Sequence, residues 1–400
     1  MDRRTFLRNG LFATAAFTSL GASFWQRAVA SHPAILPGQT PYGPLSAPDA
    51  NGIRLPQGFT SREIARSGRA VPGTNFVWHS APDGGATFGT DDRGWIYVSN
   101  SEIDRGGGGV GALRFDSSGE VVDAYRVLYG TSRNCAGGST PWGTWITCEE
   151  TQTGLAWECD PTGAMPAIPR PALGTFSHEA AVVDPQSLIV YLTEDQTDGR
   201  FYRFVPSDPL VIDQNLLETG RLEVARVAED GSVTWLAVPE PNPLPVIGTP
   251  TRQQVPMSTK FNGGEGMWFD EAARTVYFTT KGDNTVWAYH VDARTIEVLF
   301  SSALTPGSPM NGVDNIVMSP GREIFVCEDH SSSTPLEMII ISPEAGVVGP
   351  FAEFVPPLHG STELAGAAFD PSGTRMYVSS QRAYVAGVTY EITGPFRGAA

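Results

Sequence analysis

Six times along the chain an aromatic-centred apolar run ends in small, polar or acidic residues: Trp95–Glu102, Thr144–Glu150, Val190–Asp195, Val276–Asp283, Ile324–Asp329 and Met376–Gln381. The central aromatic residues, Tyr97, Trp145, Tyr191, Tyr277, Phe325 and Tyr377, are spaced 48, 46, 86, 48 and 52 residues apart. Runs rich in Val, Ile, Tyr and Phe are strand formers. A strand-bearing unit recurring about every 45–50 residues buries its faces only by stacking on its neighbours, the pattern of a β-propeller with one blade per repeat. The expected fold class is therefore all-β: a β-propeller of six blades, with a long insertion around residues 205–260 in the widest gap. Ring closure brings equivalent positions to one end of a shared axis. Glu102, Glu149, Glu150, Glu194, Asp195, Glu328 and Asp329 then face one another. Carboxylates crowded together repel unless cations hold them, so the expectation is a metal cluster.

Each repeat follows one grammar. A polar or acidic motif opens it, a strand follows, and a turn rich in Asp, Pro and Gly leads into the aromatic strand, as in Glu363–Gly373. The 44 glycines, 32 prolines and 18% charged residues fit many short strands joined by tight turns. Residues 51–395 read as one propeller domain. A net charge of −16, with no basic stripe, excludes nucleic acid as a partner. Outside the N-terminus no long segment keeps a helical period free of Gly and Pro.

Met1 to Asn9 is a charged opening that includes Arg3-Arg4, followed by the apolar run Leu11–Trp25 and the small-residue site Ala28-Val29-Ala30. This reads as a removable export signal over residues 1–30, of the twin-arginine type. The implied partner is the twin-arginine export machinery, and the implied location is periplasmic or extracellular. No later stretch approaches a span of about 20 apolar residues, so no membrane anchor survives cleavage. Residues 31–50, rich in Pro, Ala and Ser, read as an extended linker. Four cysteines in an oxidising compartment predict two disulfides by default. Cys135 departs from that default by its setting, and Cys148 and Cys327 fit small buried strand residues. The pairing of Cys148, Cys159 and Cys327 stays open.

The densest segment is Arg133-Asn-Cys-Ala-Gly-Gly-Ser-Thr-Pro-Trp-Gly-Thr-Trp-Ile-Thr-Cys-Glu-Glu150. With Thr175–Pro185, Ile189–Asp195, Phe201–Pro206, Gly264-Glu265-Gly266, Val313-Asp314-Asn315 and Ala365–Gly373, it resembles the PhoX-type alkaline phosphatase family in a short form, from about residue 75 to 385. The resemblance implies a secreted six-bladed propeller that hydrolyses small phosphate monoesters with an iron and calcium cluster at the channel mouth. It implies that Cys135 is a thiolate iron ligand and that Glu150, Glu179 and Glu265 are ligands, with Cys135, Glu150 and Glu265 at the reacting centre. Glu194, Asp195 and Asp329 align with acids that complete the cluster, and Asn100 and Glu102 with an Asn-x-Glu of the first blade. Family members carry an Arg just before the Glu265 motif, where this chain has Gly263-Gly264. Arg133 and Lys260, with Lys281 and Arg382, are the candidates to bind phosphate in its place.

The chemistry agrees with the residue types. Thiolate suits iron, hard carboxylate oxygens suit calcium, and clustered cations activate water and neutralise phosphoryl oxygens. His178 and His330 adjoin carboxylates and read as hydrogen-bonded structural groups, a ligand role being the alternative. Gly106–Gly109 follows no strand–helix unit and reads as a flexible loop, not a phosphate cradle. Two other functions stay open: a calcium-dependent propeller esterase or lactonase, and a non-catalytic propeller with structural metal.

Overall fold

The computed structural model describes residues 20–31, 35–209, 215–329, 335–360 and 362–399. Most of the expected leader (residues 1–19) and His330 lie outside them. Six sheets form, one per repeat. Their innermost strands are Pro82–Gly89, Asn134–Ser139, His178–Val183, Gly264–Asp270, Val313–Met318 and Leu364–Phe369, which open blades 1 to 6. Each pairs antiparallel with its aromatic strand: Trp95–Ser101, Trp145–Glu149, Val190–Glu194, Thr275–Thr280, Ile324–Glu328 and Arg375–Ser380. Successive inner strands lie side by side in chain order, and the sixth lies against the first. The fourth strand of blade 6 comes from the other end of the chain. Thr60–Arg66 pairs with Val388–Thr393, so closure is made by hydrogen bonds between the termini.

The aromatic strands work as the periodicity implies. Tyr97, Trp145, Tyr191, Phe325 and Tyr377 are buried, and Tyr277 is half-buried. Among the described residues the apolar side chains fall into six clusters, one at each blade–blade boundary. At the seam, Tyr97 and Tyr377 lie 4.8 Å apart between centroids, and Trp95 Nε1 donates to Tyr377 Oη over 2.9 Å. Each such side chain removed from water contributes roughly 1.5–3 kcal/mol.

The hairpin turns follow their residue chemistry. In blade 6 Gly373 takes φ 71° and donates to Asp370 O, while Asp370 Oδ1 accepts from Arg375 N over 2.8 Å.

Three expectations need correction. Residues 31–50 are not a bare linker: Ile35 is buried beside Val286, Ile341 and Val348, and Leu36–Pro37 pairs parallel with Val347–Val348. An apolar residue among prolines anchors the lead-in on blade 5. The region 205–260 is only partly an insertion. Gly220–Val227 and Val233–Ala237 are the fourth and fifth strands of blade 3, and a loop follows them. Finally, all four cysteines are free thiols, with Cys148, Cys159 and Cys327 fully buried in strands, so the default of two disulfides does not hold.

Residues 21–31, most of them inside the expected leader, form an α-helix (Gly21–Ser31). Its Phe24 and Trp25 rings lie 6.2 and 6.0 Å from Trp287 on blade 4. No helix among the described residues is long and apolar enough to cross a membrane.

Candidate metal centre

The second residue of the inner strand is Asp83, Cys135, Glu179, Glu265, Asp314 and Ala365 in blades 1 to 6. Five of the six are thiol or carboxylate. Every inner strand also breaks register there or one residue later. Pro82 faces Ser101 but Gly85 faces Ser99, and blades 2 to 5 repeat the step between Asn134/Gly137, His178/Ala181, Gly264/Met267 and Val313/Ile316. In blade 6 the step falls between Ala365 and Ala368. Two residues opposite one is a β-bulge, which bends the strand and re-aims a side chain. Here the bulges turn one residue per blade toward the axis.

The bulges of blades 2, 4 and 5 are fixed from the neighbouring blade. Asn100 Nδ2 donates to Cys135 O (3.0 Å) and Ala136 O (2.8 Å), while its Oδ1 accepts from Trp145 Nε1 and Thr147 Oγ1. Thr193 Oγ1 donates to Glu265 O (2.6 Å) and Thr279 Oγ1 to Asp314 O (2.6 Å). Asn100, Thr193 and Thr279 each stand one residue before the end of an aromatic strand.

A second series follows the aromatic strands. Glu102, Glu150, Asp195, Lys281, Asp329 and Gln381 come one residue after the strand end. In all six blades the backbone N–H of that residue donates to the residue just before the inner strand: Ala81, Arg133, Ser177, Gly263, Gly312 and Glu363, over 2.7–3.2 Å. The sixfold constraint makes a ring of functional side chains at one end of the axis.

The ring closes through shared corners. Cys135–Glu150–Glu179, Glu179–Glu265–Asp314, Asp314–Asp329–Glu363 and Asp83–Glu102–Glu363 each bring one ligand atom per residue within 4.8 Å of the others. Cys135 Sγ lies 3.7 Å from Asp83 Oδ2, which joins the first group to the last. Asp195 stands beside Gly263, and its charge acts on Glu150, Glu265 and Asp314. Burial first, and then neighbouring carboxylates, push Glu179 and Glu363 well above the carboxylate range. Burial also lifts Glu150 to about 8 and Asp314 to about 6, against the pull of Arg133 and Lys281 respectively. The Cys135 thiol is raised by the same causes. Glu179 is fully buried and neither of its oxygens has a hydrogen-bond partner. A carboxylate in that state calls for a cation or a proton. The donor set, one thiol among hard oxygens, fits a cluster of mixed metals.

Predicted residues divide cleanly. Cys135, Glu150, Glu179, Glu265, Asp329 and Glu102 meet in the ring, and Asp195 adjoins it. Glu194 does not reach it. It is buried in blade 3, accepts from Tyr202 Oη at 2.8 Å and pairs with Arg252 at 3.3 Å. Glu149 turns to Ser132 N and Trp157 Nε1, and Glu328 to Asn311 N and Glu337 N. Each is the last residue of its strand, so its side chain leaves the sheet on a different side from the acid that follows it. Arg133 bridges Glu102 and Glu150 at the mouth, and Arg382 reaches Glu102 from the other side. Lys260 is exposed, in the segment that enters blade 4. His178 is buried, its Nε2 2.9 Å from Gly174 O, with burial holding its pKa at about 4. That is the structural role expected of it. Asp83, Asp314 and Glu363 had no assigned role. Extending the inner-strand offset shared by Cys135, Glu179 and Glu265 would have found Asp83 and Asp314.

The family model described as alkaline phosphatase PhoX matches residues 107–161 and 153–294. Over that stretch, just under half of its length, the chain is similar to the PhoX alkaline phosphatase family. The match runs from the outer strands of blade 1 through most of blade 4, and so takes in Cys135, Glu150, Glu179 and Glu265. The structure of Pseudomonas fluorescens PhoX in complex with vanadate, a transition state analogue, superposes with a TM-score of 0.73 at 16% identity, covering 92% of this chain and 100% of that one. That likeness shows the PhoX propeller fold. A Bacteroides thetaiotaomicron protein of unknown function aligns with a TM-score of 0.52 at 9% identity over 84% of this chain and 76% of its own. A gluconolactonase from Xanthomonas campestris gives 0.45 at 14% identity over 89% of this chain and 99% of its own. No curated protein sequence matches the chain significantly.

Proposed function

We propose that this chain is an exported phosphoric monoester hydrolase acting on small phosphate esters with a cluster of iron and calcium. The observation that carries the reading is the closed ring, in which one thiol and a carboxylate with two unpartnered buried oxygens share a corner. Cys135, Glu150 and Glu179 would hold iron, and the all-oxygen groups around Asp314, Asp329, Glu363, Asp83 and Glu102 would hold calcium. Bound metal supplies an acidified water and neutralises charge on phosphoryl oxygens.

The chain's own residues do the rest. Hydrolysis forms a P–O bond to water and breaks the ester P–O bond, the alcohol leaving with a proton. Arg133 and Arg382, with side chains 40% and 47% exposed, stand at the mouth on either side of Glu102 and can meet phosphate bidentately. Arg133 precedes the inner strand of blade 2 as Gly263 precedes that of blade 4, so a guanidinium two blades away serves where the family arginine is missing. The backbone staple from Asn100 holds Cys135 in register with both.

The test uses exported, metal-loaded protein and a chromogenic phosphate monoester. Phosphate release that stops with chelator, returns with calcium and is inhibited by vanadate is expected. No turnover by fully loaded protein would reject the proposal, and a parallel lactone panel separates the esterase alternative. Cys135→Ser should lose iron and turnover together while keeping the fold, because the side chain is only half-buried.

A further inference from the structure

One member of the strand-end series differs in sign. Blades 1, 2, 3 and 5 place Glu102, Glu150, Asp195 and Asp329 there, blade 6 places Gln381, and blade 4 places Lys281. Its Nζ lies 3.1 Å from Glu265 Oε1, 3.5 Å from Asp314 Oδ2 and 2.9 Å from Asp329 Oδ2. Those carboxylates come from two adjoining groups, Glu179–Glu265–Asp314 and Asp314–Asp329–Glu363, so the ammonium is wedged between them. The contact with Glu265 Oε1 is one of charge, since that oxygen has no aligned hydrogen-bond donor.

The choice of residue is specific. Of 27 basic residues only two are lysines, Lys260 and Lys281; arginine supplies every other cation. A planar guanidinium would bridge carboxylates edge-on, as Arg133 does at the mouth. An ammonium is a compact point charge that meets oxygens on several sides, as a bare ion does.

We infer that Lys281 occupies one cation position of the cluster, so that this chain holds one metal ion fewer than its carboxylates could bind. The inference rests on the metal-dependent reading above and concerns only how the ring is filled. Glu265, Asp314 and Asp329 receive from the chain itself the positive charge that an ion would otherwise bring. Removing the ammonium leaves three carboxylates facing one another and opens an oxygen site of the kind calcium takes.

Elemental analysis of folded protein equilibrated with calcium and freed of excess tests this. Lys281→Ala is expected to carry one more calcium per chain than the wild type, with a thermal midpoint that rises more steeply with calcium; Lys281→Gln should behave alike. Equal metal content in wild type and both variants would overturn the inference and leave the hydrolase reading intact. A wild type that takes up no metal would overturn both. Should the variants not fold, the wild type decides by reductive methylation followed by mass mapping of its two lysines. Exposed Lys260 should be modified and Lys281 protected, equally with and without saturating calcium. Modification of Lys281 once calcium is added would mean that metal displaces the ammonium, which overturns the inference.

Discussion

At the scale of the residue, the site is decided by which of two neighbouring acids faces the axis. Glu149-Glu150, Glu194-Asp195 and Glu328-Asp329 are indistinguishable by composition, and the sequence places all six in the ring. In the structure the first of each pair ends its strand and finds donors within or beside the sheet, and the second lies past the strand end. That difference is one of register, invisible without the strand boundary. Cys135, Glu179 and Glu265 were legible because their motifs are specific. Asp83 and Asp314 were not: Asp314 stood in a quoted motif without a ligand role, and Asp83 lies just before the motif that opens blade 1. Glu179 carries the sharpest consequence of burial without partners. Glu179→Gln is expected to stabilise the chelated protein at pH 8, by about 1–3 kcal/mol, while lowering the metal content of the metal-loaded preparation. Urea denaturation of chelated protein, paired with metal analysis, checks both. A variant that keeps full metal content would remove Glu179 from the ligand set.

At the scale of the element, the inner strands must come closer together at the axis than side chains normally allow. A Cβ on Gly138 would overlap Ala181 O of the next blade, and one on Gly266 would lie 2.7 Å from Asn315 Cα. Gly138→Ala therefore has to move backbone in two blades. It should cost roughly 1–3 kcal/mol and reduce metal binding by shifting Cys135 relative to Glu179, read as a lower urea midpoint and a lower iron content. Gly143→Ala is the control for a glycine in open space, although its φ of 86° adds local strain. Asn100→Ala tests the staple. It frees the carbonyls of Cys135 and Ala136 and should weaken iron retention more than it weakens the fold. The aromatic strands were legible because a buried, repeated strand leaves a period in the chain. The bulges were not, because an extra residue shows only against a partner strand. The outer strands of blade 3 escaped notice because they lie far from the axis and carry no acid ending.

At the scale of the whole molecule, folding brings nine carboxylates and one thiol together against three cationic side chains, Arg133, Lys281 and Arg382. Without metal, protons must make up the difference. Burial raises Glu150 to about 8, and Asp83, Glu179, Glu265 and Glu363 well above the usual range. A carboxyl whose folded pKa exceeds its unfolded value binds more protons when folded. The stability it contributes is full below the unfolded value and is lost as pH rises through the folded one. Buried histidines act in the opposite sense: His79, lowered to about 3 by burial, penalises the fold only below about 6.5. Above about pH 6.5 His79 becomes neutral in both states, so from there to about pH 8.5 the raised acids dominate. Chelated protein should therefore lose thermal stability steadily as pH rises across that window, whereas metal-loaded protein should stay nearly level because cations, not protons, neutralise the ring. Thermal midpoints of both forms at pH 6.5, 7.5 and 8.5 measure the divergence. Parallel curves for the two forms would mean that the acids find their partners elsewhere and that the ring is not the site where metal couples to the fold.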